Sequence, residues 1–338
     1  MLDEAPVRER QSQMSDAKRK NVIVFYTDQQ RADSLGCMGN RFAHTHHIDA
    51  LAGRGVLYTN HIAANPVCMP SRASFITGRY TLAHRVLDNG IFLGEDELTM
   101  PEVLRRNGYR TASIGKLHFQ TYKSYEGDSS MESMARWESG KLDDWRGPYY
   151  GFEEVQLTTA HGEGVGGLYG RWRAKNFPDI KIGPDNAQSD EKYMQFLSWK
   201  SNIPLEAYHS TWVADRAVEF LDDAGEKPFF LNVSFPDPHH PFTPPAPYNT
   251  MFDGVEFDAP HAVEGENDTK PRPYRDAMRG NPFPKDGGSH YFADFAGAAY
   301  NQVVAHTHGM VALIDDCVGR VMAKLAEKGL ADDTIVVF

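Results

Sequence analysis

The chain has 338 residues, of which 35 are basic and 46 acidic, giving a net charge of −11 and a pI near 5.7. That balance repels phosphate backbones and excludes nucleic acid as a natural partner, while a local cationic pocket for a small anion stays compatible with it. No apolar run approaches the roughly 18 residues of a membrane helix, the charged first twenty residues lack a secretory core, and Cys37, Cys68 and Cys317 are too few for a disulfide framework.

The expectation is therefore a soluble, cytoplasmic globular protein without a membrane partner. Residues 1–20 read as a mobile polar tail and 21–338 as one α/β catalytic domain. Val22-Ile23-Val24-Phe25-Tyr26 is β-branched and aromatic, too short for a helix and suited to a strand buried on both faces. A short helix is predicted from about Ile48 to Arg54, stopping at Gly55. Thr99-Met100-Pro101-Glu102 has the spacing of a capping box, opening a helix that ends at Gly108. Tyr109 to Ile114 is the next strand. Ser210 is the expected cap of a helix running to about Ala224, and Phe229 to Phe235 the strand after it.

The longest helix spans about Asn301 to Lys328, where Val311, Ile314, Val318, Val321 and Leu325 form one apolar stripe. Gly329 ends it, and Thr334 to Phe338 is a strand. Alternating strands and helices imply a large, mostly parallel sheet with helices on both faces. Two stretches, about 119–205 and 243–295, lack periodicity and read as loop insertions above the strand ends, where such sheets place their ligands.

The chemistry concentrates at Cys68-Met69-Pro70-Ser71-Arg72. Pro70 and Ser71 open a helix just after Cys68, so the thiol lies near free amide donors, and Arg72 adds a cation whose fork suits tetrahedral oxyanions. Taken alone, the segment fits a buried cysteine beside a surface arginine, or a thiolate nucleophile whose pKa Arg72 and the helix lower.

Together with Thr77-Gly78-Arg79-Tyr80 the segment resembles the sulfatase family, whose signature Cys-x-Pro-Ser-Arg with Thr-Gly-x-Tyr marks a cysteine converted to formylglycine (3-oxoalanine). Three more motifs follow in the family's order. Asp28-Gln29 after the first strand resembles its first metal-binding segment, Gly115-Lys116-Leu117-His118 its Gly-Lys-x-His segment, and Pro238-His239-His240-Pro241 its Pro-His-x-Pro loop. The resemblance implies an alkaline-phosphatase-like fold and a formylglycine-generating enzyme as partner. It also implies one divalent metal on Asp28, Gln29 and residue 68: calcium first, with manganese, magnesium or zinc as alternatives. Gln29, where many sulfatases carry a second Asp, is similar to the branch with phosphonate monoester hydrolases and choline-sulfatase-like enzymes.

The implied reaction hydrolyses small-molecule or saccharide sulfate esters. A hydroxyl of the hydrated aldehyde at 68 attacks sulfur, with Arg72 and the metal holding the anion. His239 or Lys116 protonates the leaving alcohol, and His118 is the base that lets sulfate depart. Phosphonate monoester or phosphodiester hydrolysis at the same site is the alternative, and a non-catalytic anion-binding relative the second; an oligomer is compatible with either. His44, His46 and His47 are expected to be solvated and not ligands; His306 and His308 point to different faces of their helix; Cys37 and Cys317 are inert. Trp137, Trp145, Trp172 and Trp199 are either a stacking wall for substrate or packing anchors. The family carries two more metal ligands and a lysine after the strand that here ends at Phe338. On that reading the chain is part of a longer protein, with half a cation site.

Overall fold

The computed structural model describes residues 19–123, 129–183, 197–259 and 297–338, with scattered positions between 263 and 275. Most of the tail, much of the second loop stretch and part of the first fall outside the described residues. Among the described residues five strands form one wholly parallel sheet: β1 (Asn21–Tyr26), β2 (Arg110–Lys116), β3 (Glu154–Thr159), β4 (Phe229–Ser234) and β5 (Thr334–Val337), in the order β3-β2-β4-β1-β5. Every residue of β4 is buried, as its position between β1 and β2 demands.

The labelled helices are α1 (His46–Arg54), α2 (Cys68–Thr77), α3 (Met100–Arg106), α4 (Gly167–Asn176), α5 (His209–Asp222) and α6 (Gly297–Glu327). The stripe on α6 is buried throughout, against α5 and α1. Among the described residues no helix is long and apolar enough to cross a membrane.

Several local expectations need correction. Thr99 does cap α3, its hydroxyl accepting from Glu102 N at 3.3 Å, but the reciprocal half of the box does not form. Glu102 pairs instead with Arg105 at 2.8 Å and Arg106 at 2.7 Å. Asn107 caps the helix one residue before Gly108. Ser210 does not cap α5; Tyr208 stands there, and the Ser210 hydroxyl donates to Asp237 at 2.7 Å. The stretch 119–205 is less irregular than its composition suggests, since it supplies the edge strand β3 and helix α4. In β3 polar Glu154 and Gln156 alternate with buried Val155 and Leu157, the pattern of an edge strand and not of a central one.

The tryptophans act as packing anchors: Trp137 and Trp199 are buried, and Trp137 meets Trp145 edge-on at 6.2 Å. His46 and His47 are exposed in the first turn of α1, which Asp315 caps by accepting from His47 N and Ile48 N. His306 and His308 are both buried, the first 2.9 Å from Ser198 Oγ and the second stacked on Phe257. Cys317 is buried and Cys37 half-buried.

Candidate active site

The carboxyl ends of four adjacent strands carry the candidate residues. Asp28, His118 and His161 each stand two residues beyond the end of β1, β2 and β3, and His239 lies on the loop after β4. Three of these turns contain a non-glycine residue in the left-handed region: Gln29 (φ 59°), His118 (φ 58°) and Ala160 (φ 60°). Such residues are uncommon, and their clustering at one sheet edge marks a place where the backbone is held for a purpose other than its own comfort.

The Gly of the Gly-Lys-x-His segment has a packing reason. Gly115 takes φ 106°, and a Cβ there would lie 1.8 Å from Ser234 O on β4. Gly162 does the same for the next loop, since its Cβ would meet Pro241 at 2.7 Å. His161 and His239 are thereby pressed together, their rings stacked 3.6 Å apart at 12°.

Asp28 is 5% exposed and lies at the centre. Lys116, 1% exposed, pairs with it and with His161 Nε2, and Arg72 Nη2 stands 3.4 Å from its carboxylate. Burial alone would raise the Asp28 pKa; the Lys116 and Arg72 cations outweigh burial and hold it far below the usual carboxylate range. Arg72 Nη1 donates to Lys116 O at 2.8 Å and Ser234 Oγ at 3.0 Å, and its guanidinium lies 4.7 Å from the Tyr26 ring. Its Nη2 makes no hydrogen bond among the described residues, so a buried donor remains available to an anion.

Burial, with Lys116 and Arg72 nearby, pushes His118 well below its ordinary pKa. The same burial and Lys116 lower His161, and burial lowers His239 although Asp28 opposes it. All three imidazoles are therefore neutral at rest.

Cys68 is the first residue of α2, half-buried, with Sγ 3.6 Å from Asp28 Oδ1. Of the two readings of Cys68 taken alone, the thiolate with a lowered pKa is the one its surroundings oppose. Burial raises the thiol and Asp28 adds to it, against Lys116 and Arg72. The thiol stays protonated. Gln29 is exposed, so Asp28 is the better-defined oxygen donor of the expected metal pair.

Sequence reasoning did not find His161, Tyr122, Glu132 or Asp237. Tyr122 packs 5.2 Å from His118 and 5.9 Å from His161. Asp237, fully buried, bonds His209 Nε2 at 2.8 Å, and its carbonyl accepts from Asp28 N at 3.0 Å, tying the β1 and β4 loops together. Glu132, 1% exposed, accepts from the amides of His118, Phe119 and Gln120 at 2.7, 2.7 and 3.1 Å, and from Tyr149 OH at 3.1 Å. Burial pushes it up to about 7 while these donors hold it down.

Glu132 thus fixes the loop on which His118 adopts its left-handed backbone. Glu132→Gln replaces one acceptor oxygen by a donor facing donors. It should cost about 1–3 kcal/mol in urea unfolding and speed hydrogen exchange at residues 118–120. Unchanged exchange there would show that the loop is held by other contacts.

A family model described as Sulfatase matches residues 20–338. The multifunctional alkaline phosphatase superfamily protein PehA of Trinickia caryophylli is 30% identical over 95% of this chain and 62% of its own length. The arylsulfatase of Clostridium perfringens is 27% identical over 95% and 62%. The crystal structure of the phosphonate monoester hydrolase of Agrobacterium radiobacter superimposes with a TM-score of 0.71 at 28% identity, covering 94% of this chain and 61% of that one. The chain spans less than two thirds of these relatives' lengths.

Proposed function

The chain belongs to the sulfatase family, and from that premise we propose that it hydrolyses sulfate monoesters at position 68, with formylglycine formed there from Cys68. The observation that carries this reading is the gathering of Arg72, Lys116 and His239 around Asp28 and Cys68, with His118 two residues past Lys116 on the same strand end. Formylglycine supplies, on hydration, an oxygen nucleophile from which the acid can be released again. Asp28, buried and acceptor-only when ionised, is the residue fitted to hold a divalent ion, which would supply positive charge to the anionic ester.

The chain's own side chains do the rest. Arg72 Nη2 and Lys116 Nζ bind the anionic oxygens and neutralise charge that builds up on them. His118, held neutral, accepts a proton. His239 donates Nδ1–H to His240 O at 2.5 Å, which leaves Nε2 open. An anion entering beside it raises its proton affinity and equips it to protonate the leaving alcohol.

His239→Ala should therefore slow alkyl sulfates by about 10²-fold or more while affecting activated aryl sulfates far less. Equal losses across a leaving-group series would remove His239 from proton transfer. A second reading, phosphonate monoester hydrolysis, is favoured by Gln29 and by the likeness to the Agrobacterium radiobacter enzyme.

The test of function has two parts, made on the whole protein. Intact-protein mass spectrometry reads whether residue 68 has lost its thiol, which would make a formylglycine-generating enzyme an obligatory partner. A panel of aryl sulfate, phenyl phosphonate and phosphodiester then ranks kcat/KM. A retained thiol in active protein would overturn the mechanism, and a preference for phosphonate would select the second reading.

A further inference from the structure

We propose that, while Cys68 is still a thiol, it forms a zinc site with His161 and His239, with Asp28 completing four donors. One donor atom from each of Cys68, His161 and His239 lies within 4.8 Å of the others, and Cys68 Sγ is 3.6 Å from Asp28 Oδ1. Ligands around a tetrahedral zinc stand roughly 3.3–3.8 Å apart, given bonds of about 2.0–2.3 Å. The donors thus need to close by about an ångström, and the stacked His161 and His239 rings to turn out of parallel so that both lone pairs meet one ion. One sulfur, two imidazole nitrogens and one carboxylate suit a borderline ion such as zinc and not calcium or magnesium, which prefer oxygen alone.

Two further details point the same way. The His239 Nδ1 bond to His240 O fixes the tautomer that leaves Nε2 with its lone pair, the outer-shell arrangement that orients metal-binding histidines. Lys116 is a donor only, so His161 Nε2 accepts from it and already directs its lone pair at a cation. The ammonium, gripped between Asp28 and His161, occupies the place of a positive ion.

Binding is written as Cys68–SH plus Zn²⁺ giving Cys68–S–Zn⁺ plus H⁺, the ion expelling a proton that burial otherwise retains. Lys116 must withdraw as the ion enters. The site shares Asp28 and position 68 with the oxygen-ligated ion proposed above and differs from it in taking the unmodified sulfur and both histidines as ligands.

Cobalt(II) is the probe, titrated into the full chain purified with Cys68 as the thiol. The expected result is one equivalent bound, with a thiolate-to-cobalt charge-transfer band and tetrahedral visible bands, both displaced by zinc. Cys68→Ala and Cys68→Ser should lose the charge-transfer band with unchanged circular dichroism. His161→Ala and His239→Ala should each weaken binding by about tenfold or more. Lys116→Met should tighten it, since the competing cation is gone.

No charge-transfer band in folded protein would overturn the proposal. So would a band that survives Cys68→Ala, which would place cobalt on Cys37 or Cys317. Unchanged affinity in both histidine variants, or weaker binding in Lys116→Met, would overturn the ligand assignment.

Discussion

Cys68→Ala should abolish the proposed sulfate ester hydrolysis in the whole protein while leaving its fold intact. The loss expected when the attacking residue of a covalent mechanism is removed is roughly 10⁴–10⁶-fold in kcat/KM, read against an aryl sulfate. The structural cost is small for identifiable reasons. Cys68 is the first residue of α2, it is half-buried, and Sγ touches the Asp28 carboxylate and not the apolar core. Alanine is the best helix former, and removing one sulfur from a polar pocket leaves no apolar void. The melting temperature should therefore move little. Near-normal turnover in the variant would mean that the oxygen nucleophile is not at position 68, whatever Arg72 and Lys116 bind.

How much of this was legible in the sequence depended on how each residue advertises itself. β1, β4 and the long α6 are apolar runs or stripes whose burial demands the element, and each was read within a few residues of its place. β3 was not, because an edge strand keeps polar residues on its outer positions and so resembles the loops around it. That omission hid His161. Once β3 is seen to end at Thr159, His161 falls in the same position, two residues past a strand end, as Asp28 and His118. A rule of position would have found it where motif reading did not.

Glu132 and Asp237 carry no local signal, since their meaning lies in amides and side chains brought to them by the fold. The two readings of the Cys68 segment taken alone stayed open for a related reason. Sequence shows the neighbouring arginine and the helix start, but not the burial and the Asp28 carboxylate that outweigh them.

Asp28→Asn should be the most destabilising single change in the site. Lys116 and Arg72 are 1% and 5% exposed and both face the Asp28 carboxylate. Asparagine keeps the shape and removes the charge, leaving two buried cations with no anion between them. Breaking a buried pair in this way costs about 3–5 kcal/mol, more than a lost hydrogen bond, because the desolvation of the survivors is no longer offset.

The pH dependence has a definite sign. The Asp28 pKa is depressed in the folded protein, so its stabilisation is fully present above the unfolded value of about 3.9 and is lost as pH falls through the folded value, which lies far lower. The gap in urea-unfolding free energy between wild type and variant should accordingly be constant from pH 5 to 8 and shrink only below about pH 4. A gap that closed near neutrality would assign the effect to a histidine, and no gap at any pH would show that Lys116 and Arg72 reach solvent or another anion when Asp28 is neutral.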